Sequence, residues 1–266
     1  MGKTLHHFGL RHFPLDKGQQ SLWDDGALEH LQSRFQWLLE SPGVGVITGE
    51  PGVGKTAALR HLAANINTHQ YQLTYLAETD FGRLDLYRSL AQELGLNPAW
   101  RRSQMWREIK QWIEEQVTHQ SRRPIWIIDE AQNLPAEFFR DFPAFINFAF
   151  ASKDLLTVWF VGHPELARLL DRQPYAALSS RIQVRLELKP ITQRERFRQL
   201  IQHGFEAAGT TQTLLSDSGI ELIHQNSGGI PRKACRLITT TMRLAADKGI
   251  NHLPDDLILQ AIEELK

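Results

Sequence analysis

A lysine and a hydroxyl stand side by side at the end of a glycine-rich run, Gly49-Glu50-Pro51-Gly52-Val53-Gly54-Lys55-Thr56-Ala57. The fixed positions match the phosphate-loop pattern G-x-x-x-x-G-K-[ST]. Glycines let backbone N–H groups close around phosphate oxygens, and a helix starting there adds partial positive charge. Lys55 is placed to reach the β- and γ-phosphates of a nucleoside triphosphate, and the Thr56 hydroxyl to ligate Mg²⁺. Gly49, Pro51, Gly52, Val53, Gly54 and Ala57 complete the expected nucleotide cradle. The plain alternative is a glycine turn before a helix. Against it stands the context: Val44–Thr48 reads as a buried strand and Ala57–Ala64 as a helix.

A second group is acidic. Pro124-Ile125-Trp126-Ile127-Ile128-Asp129-Glu130 is an apolar run ending in two carboxylates. Such a run suits a parallel strand covered on both faces, and ligands of open α/β sheets bind at the carboxyl ends of strands. Asp129 is expected to hold the Mg²⁺ shell and Glu130 to polarise an attacking water. Acids also cap helices, which is the bland reading of the pair. Beside a phosphate loop the pair favours hydrolysis over nucleotide binding alone.

Three further residues carry weaker signals. His163 ends the apolar run Leu155–Gly162 and could contact a γ-phosphate or hold the water; a Gly-His-Pro bend is the alternative. Arg181 precedes the fifth strand, exposed, where it could stabilise phosphoryl charge on a neighbouring subunit. Arg172 and Arg185 are rivals for that role, and a surface salt bridge is the alternative. Arg232 falls in the first turn of a helix opened by Gly228-Gly229-Ile230-Pro231. A cation is unfavourable there, so a phosphate contact would account for it.

The elements that must position these groups alternate. Strands are read at Val44–Thr48, Tyr71–Ala77, Ile125–Asp129, Leu156–Gly162 and Gln183–Leu188. Helices are read at Ala27–Leu39, Thr56–Asn65, Asp85–Leu94, Ser103–Gln116, Pro135–Phe148 and Glu165–Leu170. That alternation predicts an α/β fold with a five-stranded parallel sheet. After Pro190-Ile191 only helical patterns follow: one opened by a capping box at Thr192-Gln193-Arg194-Glu195, then Ser218–Gln225, Pro231–Asp247 and Pro254–Leu265. The expected division is a core over residues 1–190 and a helical lid over 191–266. Trp112, Phe138, Phe142, Phe145 and Phe148 are core candidates at helical spacing.

The 266 residues carry 30 basic and 30 acidic side chains, so bulk charge gives no passive affinity for nucleic acid. Local clusters remain. Arg101, Arg102, Arg107 and Lys110 stand against Glu108, although most such clusters are solvated helix faces. The single cysteine, Cys235, fits a reducing compartment. No run approaches bilayer length, and Met1–His7 has no apolar signal core. A cytoplasmic protein with no membrane partner is expected.

With these residues in place the chain resembles the AAA+ ATPases. Gly49–Thr56 matches Walker A, Ile125–Glu130 Walker B, His163 sensor 1, Arg181 the arginine finger and Arg232 sensor 2. The runs Phe8–Leu15, Asp129-Glu130-Ala131-Gln132-Asn133-Leu134 and Gly162-His163-Pro164-Glu165-Leu166 are similar to the ExeA-like group. That group includes transposition regulators of the TnsC and TniB type and is similar to the MuB and IstB helpers. The resemblance implies an ATP- and Mg²⁺-dependent protein that oligomerises, as a ring or helical filament, on duplex DNA. It would mark target sites, recruit a transposase and be cleared by hydrolysis. It further implies that Phe13 and Pro14 pack near the adenine, and that the segment Glu78–Arg83, followed by Arg88, faces DNA. Arg83 leads the expected DNA contacts, with Arg88, Arg101, Arg102 and Lys110 behind it. Phosphate contacts of that kind give affinity without reading sequence. A helicase or replication-factor loader, and a secretion-type ATPase with a protein client, share the same site.

Overall fold

The computed structural model describes residues 2–17, 22–24, 26–77, 82–148 and 153–266. The chain divides into two compact units.

The larger unit spans residues 27–49 and 58–188. Its sheet has five parallel strands in the order β2-β3-β4-β1-β5. These are β1 (Val44–Gly49), β2 (Tyr71–Leu76), β3 (Arg123–Ile128), β4 (Thr157–Gly162) and β5 (Ile182–Leu188). The three central strands are apolar almost throughout, because both faces of the sheet are covered. Alternation assigns the faces. Val44, Val46, Trp126, Ile128, Val158 and Phe160 point one way, into a core with Tyr87, Phe138, Phe142 and Phe145. Ile47, Ile125, Ile127, Trp159, Val161 and Val184 point the other, against Leu31, Phe35, Leu38 and Leu59. The edge strand β5 shows the reduced pattern of an edge, with only Val184 buried.

Helices α2 (Ala27–Glu40) and α3 (Lys55–Ala64) supply the second core. Helices α4 (Arg83–Glu93), α5 (Arg102–His119) and α6 (Ala136–Phe145) supply the first. Helix α6 ends at Phe145 rather than Phe148; Pro143 lies inside it, and Phe148 instead makes an isolated bridge with Lys153. Two short helices, α7 (Pro164–Leu170) and α8 (Ala176–Ser179), lead back to β5.

The second unit holds residues 1–26, 50–57 and 189–266. Helices α9 (Arg194–Ala208), α10 (Asp217–Ser227), α11 (Pro231–Asp247) and α12 (Asp255–Glu264) form it. Their core contains Phe197, Ile201, Phe205, Leu237, Ile238, Met242 and Ile258. Phe8, Leu10 and Phe13 from the N-terminal segment are buried in that same core. A short helix, α1 (Gly2–His7), precedes them; it has no apolar period to announce it and buries no residue. The capping box read at Thr192–Glu195 does not form. Helix α9 is capped by Gln193, with no side-chain cap, so Glu195 falls one position too early to reach back. The charged residues there pair elsewhere: Arg194 with Glu221 at 3.1 Å, and Arg198 with Asp217 at 2.9 Å.

Candidate nucleotide site

The parallel register brings the functional strand ends together. Thr48 pairs with Gly162, and Ile128 with Phe160. The exit of β1 at Gly49, the acids after β3 and His163 after β4 therefore share one sheet edge, its carboxyl end. The phosphate loop leaves from Gly49. Gly52 and Gly54 adopt φ of 90° and 110°, where a side chain would be strained, and this turns successive N–H groups along one curve. Val53 N–H donates to Glu50 O at 3.3 Å, closing the loop. Lys55 begins α3, is 6% exposed, and its Nζ donates to Glu50 O at 3.2 Å. Thr56 lies in the same first turn. Glycine turn, helix N-terminus and a lysine held at the loop fit a phosphate chain.

Gly52 also meets α11. Arg232 N–H donates to Gly52 O at 3.3 Å, and a Cβ built at Gly52 would stand 2.7 Å from the Arg232 Cβ. The loop and the arginine read as sensor 2 thus touch through backbone, while the Arg232 side chain is exposed. Helix α11 opens with Pro231 at its first position and no side-chain cap. Phe13 is 6% exposed, with the Arg243 guanidinium 5.9 Å above its ring.

Asp129 is 3% exposed. Its Oδ1 accepts the N–H of Glu130 at 2.9 Å and its Oδ2 the hydroxyl of Tyr75 at 2.8 Å. Tyr75 was not read from the sequence as a site residue. It looks like any aromatic in a strand, and only the β2–β3 pairing sets it beside Asp129. Burial, then the hydrogen bond and charge of Asp129, hold its phenol well above the ordinary tyrosine range, so it stays a donor. Glu130 takes a left-handed backbone, φ 51°, which costs a non-glycine residue about 1 kcal/mol. Besides the Asp129 contact, Asn133 N–H donates to Glu130 O at 3.0 Å. His163 Nε2 lies 3.4 Å from Glu130 Oε2, and its Nδ1 lies 4.0 Å from Glu165. The histidine therefore faces Glu130 directly. Gln132, which the sequence placed in a motif without a role, bonds both residues.

Arg181 lies elsewhere. Val44 pairs with Ile182 and Gly49 with Leu188, so Arg181 sits at the amino edge of the sheet, about 20 Å along β5 from the phosphate-loop exit. Its Nη1 donates to Ala177 O at 2.7 Å, and it lines a hollow of 270 Å³ with Gly43, Val44, Leu156 and Gln183. Arg185 is held by Asp171 at 3.1 Å and Ser179 Oγ at 2.8 Å, while Arg172 is exposed.

The residues read as DNA contacts are scattered over α4 and α5. Glu78–Phe81 and the side chain of Arg83 lie outside the described residues. Arg88 pairs with Asp85 at 3.0 Å. Arg101 is exposed at the start of α5. Arg102 pairs with Asp141 and covers the Trp106 ring. Lys110 Nζ donates to Asn147 O at 2.7 Å over the Phe148 ring, and burial lowers its pKa.

A family profile described as the AAA domain matches residues 38–170. The chain belongs to that family. Its match begins in α2 and runs through Gly49–Thr56, Ile125–Glu130 and His163 to the end of α7. Among curated proteins, General secretion pathway protein A of Aeromonas hydrophila is 26% identical over 209 residues, covering 77% of this chain. The chain spans 37% of that relative's length. Among solved structures, Cdc6p of Pyrobaculum aerophilum superposes with a TM-score of 0.69 at 16% identity, covering 98% of this chain and 70% of the other. The Aeropyrum pernix ORC1 protein in complex with DNA gives 0.68 at 14%, covering 94% and 68%. At these identities the structures show a common fold: a five-stranded parallel sheet with helices, as in P-loop nucleoside triphosphatases, followed by a helical C-terminal region. Among the described residues no helix is long and apolar enough to cross a membrane.

Proposed function

We propose that this AAA protein is an ATPase that assembles on duplex DNA and regulates transposition. It marks a target, recruits a transposase, and disassembles on hydrolysis. In this reading Gly49–Ala57 cradle the phosphates, Lys55 neutralises the β- and γ-oxygens, and Arg232 senses the γ-phosphate. Thr56 and Asp129 would hold Mg²⁺, which would supply charge neutralisation on the transferring phosphoryl group. Glu130 orients and deprotonates water, His163 steadies it, and Phe13 lies on the adenine side. Residues 1–190 act as core and 191–266 as lid, in the cytoplasm.

The observation that carries the reading is the separation of Arg181 from Glu130, at opposite edges of one sheet. An arginine so placed serves a neighbour's nucleotide, which makes hydrolysis depend on assembly. Head-to-tail contacts of this kind generate rings or helical filaments. With zero net charge, affinity for DNA comes from summing subunits along the duplex through Arg83, Arg88, Arg101, Arg102 and Lys110. The Arg102 and Lys110 contacts to Asp141 and Asn147 make Arg101 the more available of the α5 cations.

The test is binding to random-sequence duplex with ATP, a slowly hydrolysed analogue, ADP or no nucleotide, read by anisotropy and particle size. Cooperative binding with ATP or the analogue alone is the expected result. Absence of binding in every state, with hydrolysis intact, turns the reading to a protein client. The likeness to General secretion pathway protein A favours that second reading. Dependence of DNA binding on a helicase partner would instead indicate a loader.

Arg181→Ala should lower assembly-stimulated hydrolysis by about 10³-fold. Mixing it with Lys55→Ala should restore part of the rate, since each variant supplies what the other lacks. A mixture no faster than its components rejects the finger in trans.

A further inference from the structure

The Glu130 carboxylate is held by a side chain from its own turn. Gln132 lies two residues on, in the 3₁₀ turn Ala131–Asn133. Its Nε2 donates to Glu130 Oε2 at 2.7 Å, and its Oε1 accepts the N–H of His163 at 3.0 Å. The amide spans from the end of β3 to the end of β4, and chemistry fixes its sense. A backbone N–H can only donate, so the oxygen must face His163. The NH₂ is then left facing the carboxylate, which accepts.

Gly162 makes this possible. A Cβ there would stand 2.3 Å from Gln132 Oε1 and 3.1 Å from Leu166 Cδ2. The amide oxygen thus rests against the bare Cα at the last position of β4. Glu130 needs such a hold. Its backbone is left-handed, so its side chain leaves in an unusual direction, and a glutamate otherwise samples many rotamers.

We infer that Gln132 is a positioning residue for hydrolysis: seated on Gly162, it aims the Glu130 carboxylate and ties it to the His163 backbone. The inference rests on the reading of Glu130 as the group that activates water. Position matters at this point, because a displacement of about 1 Å at a reacting group costs up to roughly 100-fold in rate.

Gln132→Ala is expected to lower kcat for ATP by about 10- to 100-fold, with nucleotide affinity kept within about threefold. Gly162→Ala is expected to do the same by expelling the amide. The double variant is expected to be no slower than either single one, since both remove one arrangement. The split between kcat and affinity separates positioning from mere packing, since a collapsed site would lose both. Wild-type kcat in Gln132→Ala, or losses that multiply in the double variant, would overturn the inference. Glu130→Gln distinguishes the two failures. If it hydrolyses ATP at the wild-type rate, the reading of Glu130 itself is lost. If it is slow while Gln132→Ala is fast, only the role of Gln132 is lost.

Discussion

Glu130→Gln is expected to bind ATP within about threefold of wild type and to hydrolyse it about 10²- to 10⁴-fold more slowly, the range that follows removal of a general base. The substitution is nearly isosteric. A glutamine carbonyl can still accept from Gln132 Nε2, so the hydrogen bond from that amide survives while the ability to take a proton does not. The left-handed turn is also preserved, because its hydrogen bonds run through the backbone of Glu130. Single-turnover phosphate release with parallel equilibrium binding reads both quantities. On the proposed function the same variant, loaded with ATP, stays assembled on DNA where wild type disperses. Equal hydrolysis rates in the two proteins would remove the role given to Glu130.

Lys55→Ala is expected to fail one step earlier, at nucleotide binding. Lys55 opens α3 and is almost fully buried, its ammonium held against the Glu50 carbonyl. A hydrogen bond to a charged group contributes about 1.5–3 kcal/mol, and each 1.4 kcal/mol is tenfold in affinity. Losing the contacts to two phosphates therefore weakens ATP binding by about 100-fold or more. AMP, which has neither a β- nor a γ-phosphate, should lose little by comparison. Titration calorimetry with ATP, ADP and AMP tests this directly. An unchanged ATP affinity would show that the loop holds phosphate without its lysine.

The sheet was legible because its strands are covered on both faces. Val44–Ile47, Ile125–Ile128 and Val158–Val161 are uninterrupted apolar runs. The phosphate loop was legible because its glycines and lysine are fixed by the chemistry of phosphate. What sequence could not show depends on register. Tyr75 meets Asp129 only because β2 pairs with β3, and Gln132 reaches His163 only because β4 adjoins β3. The N-terminal segment shows the same limit. Phe8, Leu10 and Phe13 announce burial, but not that they join the core of the C-terminal helices. The misread cap at Thr192 turns on a single position: Gln193 caps the helix, which leaves Glu195 one residue short of the box.

The bond from the Arg232 amide to the Gly52 carbonyl has a thermodynamic meaning. One neutral backbone hydrogen bond contributes about 1 kcal/mol, so it favours the engaged arrangement of loop and helix by roughly five to one. A ligand that discriminates between the arrangements by only about 2 kcal/mol reverses that ratio. The grip of α11 on the phosphate loop is therefore a bias and not a lock. In an assembly of many subunits, the fraction engaged would follow nucleotide occupancy in graded steps.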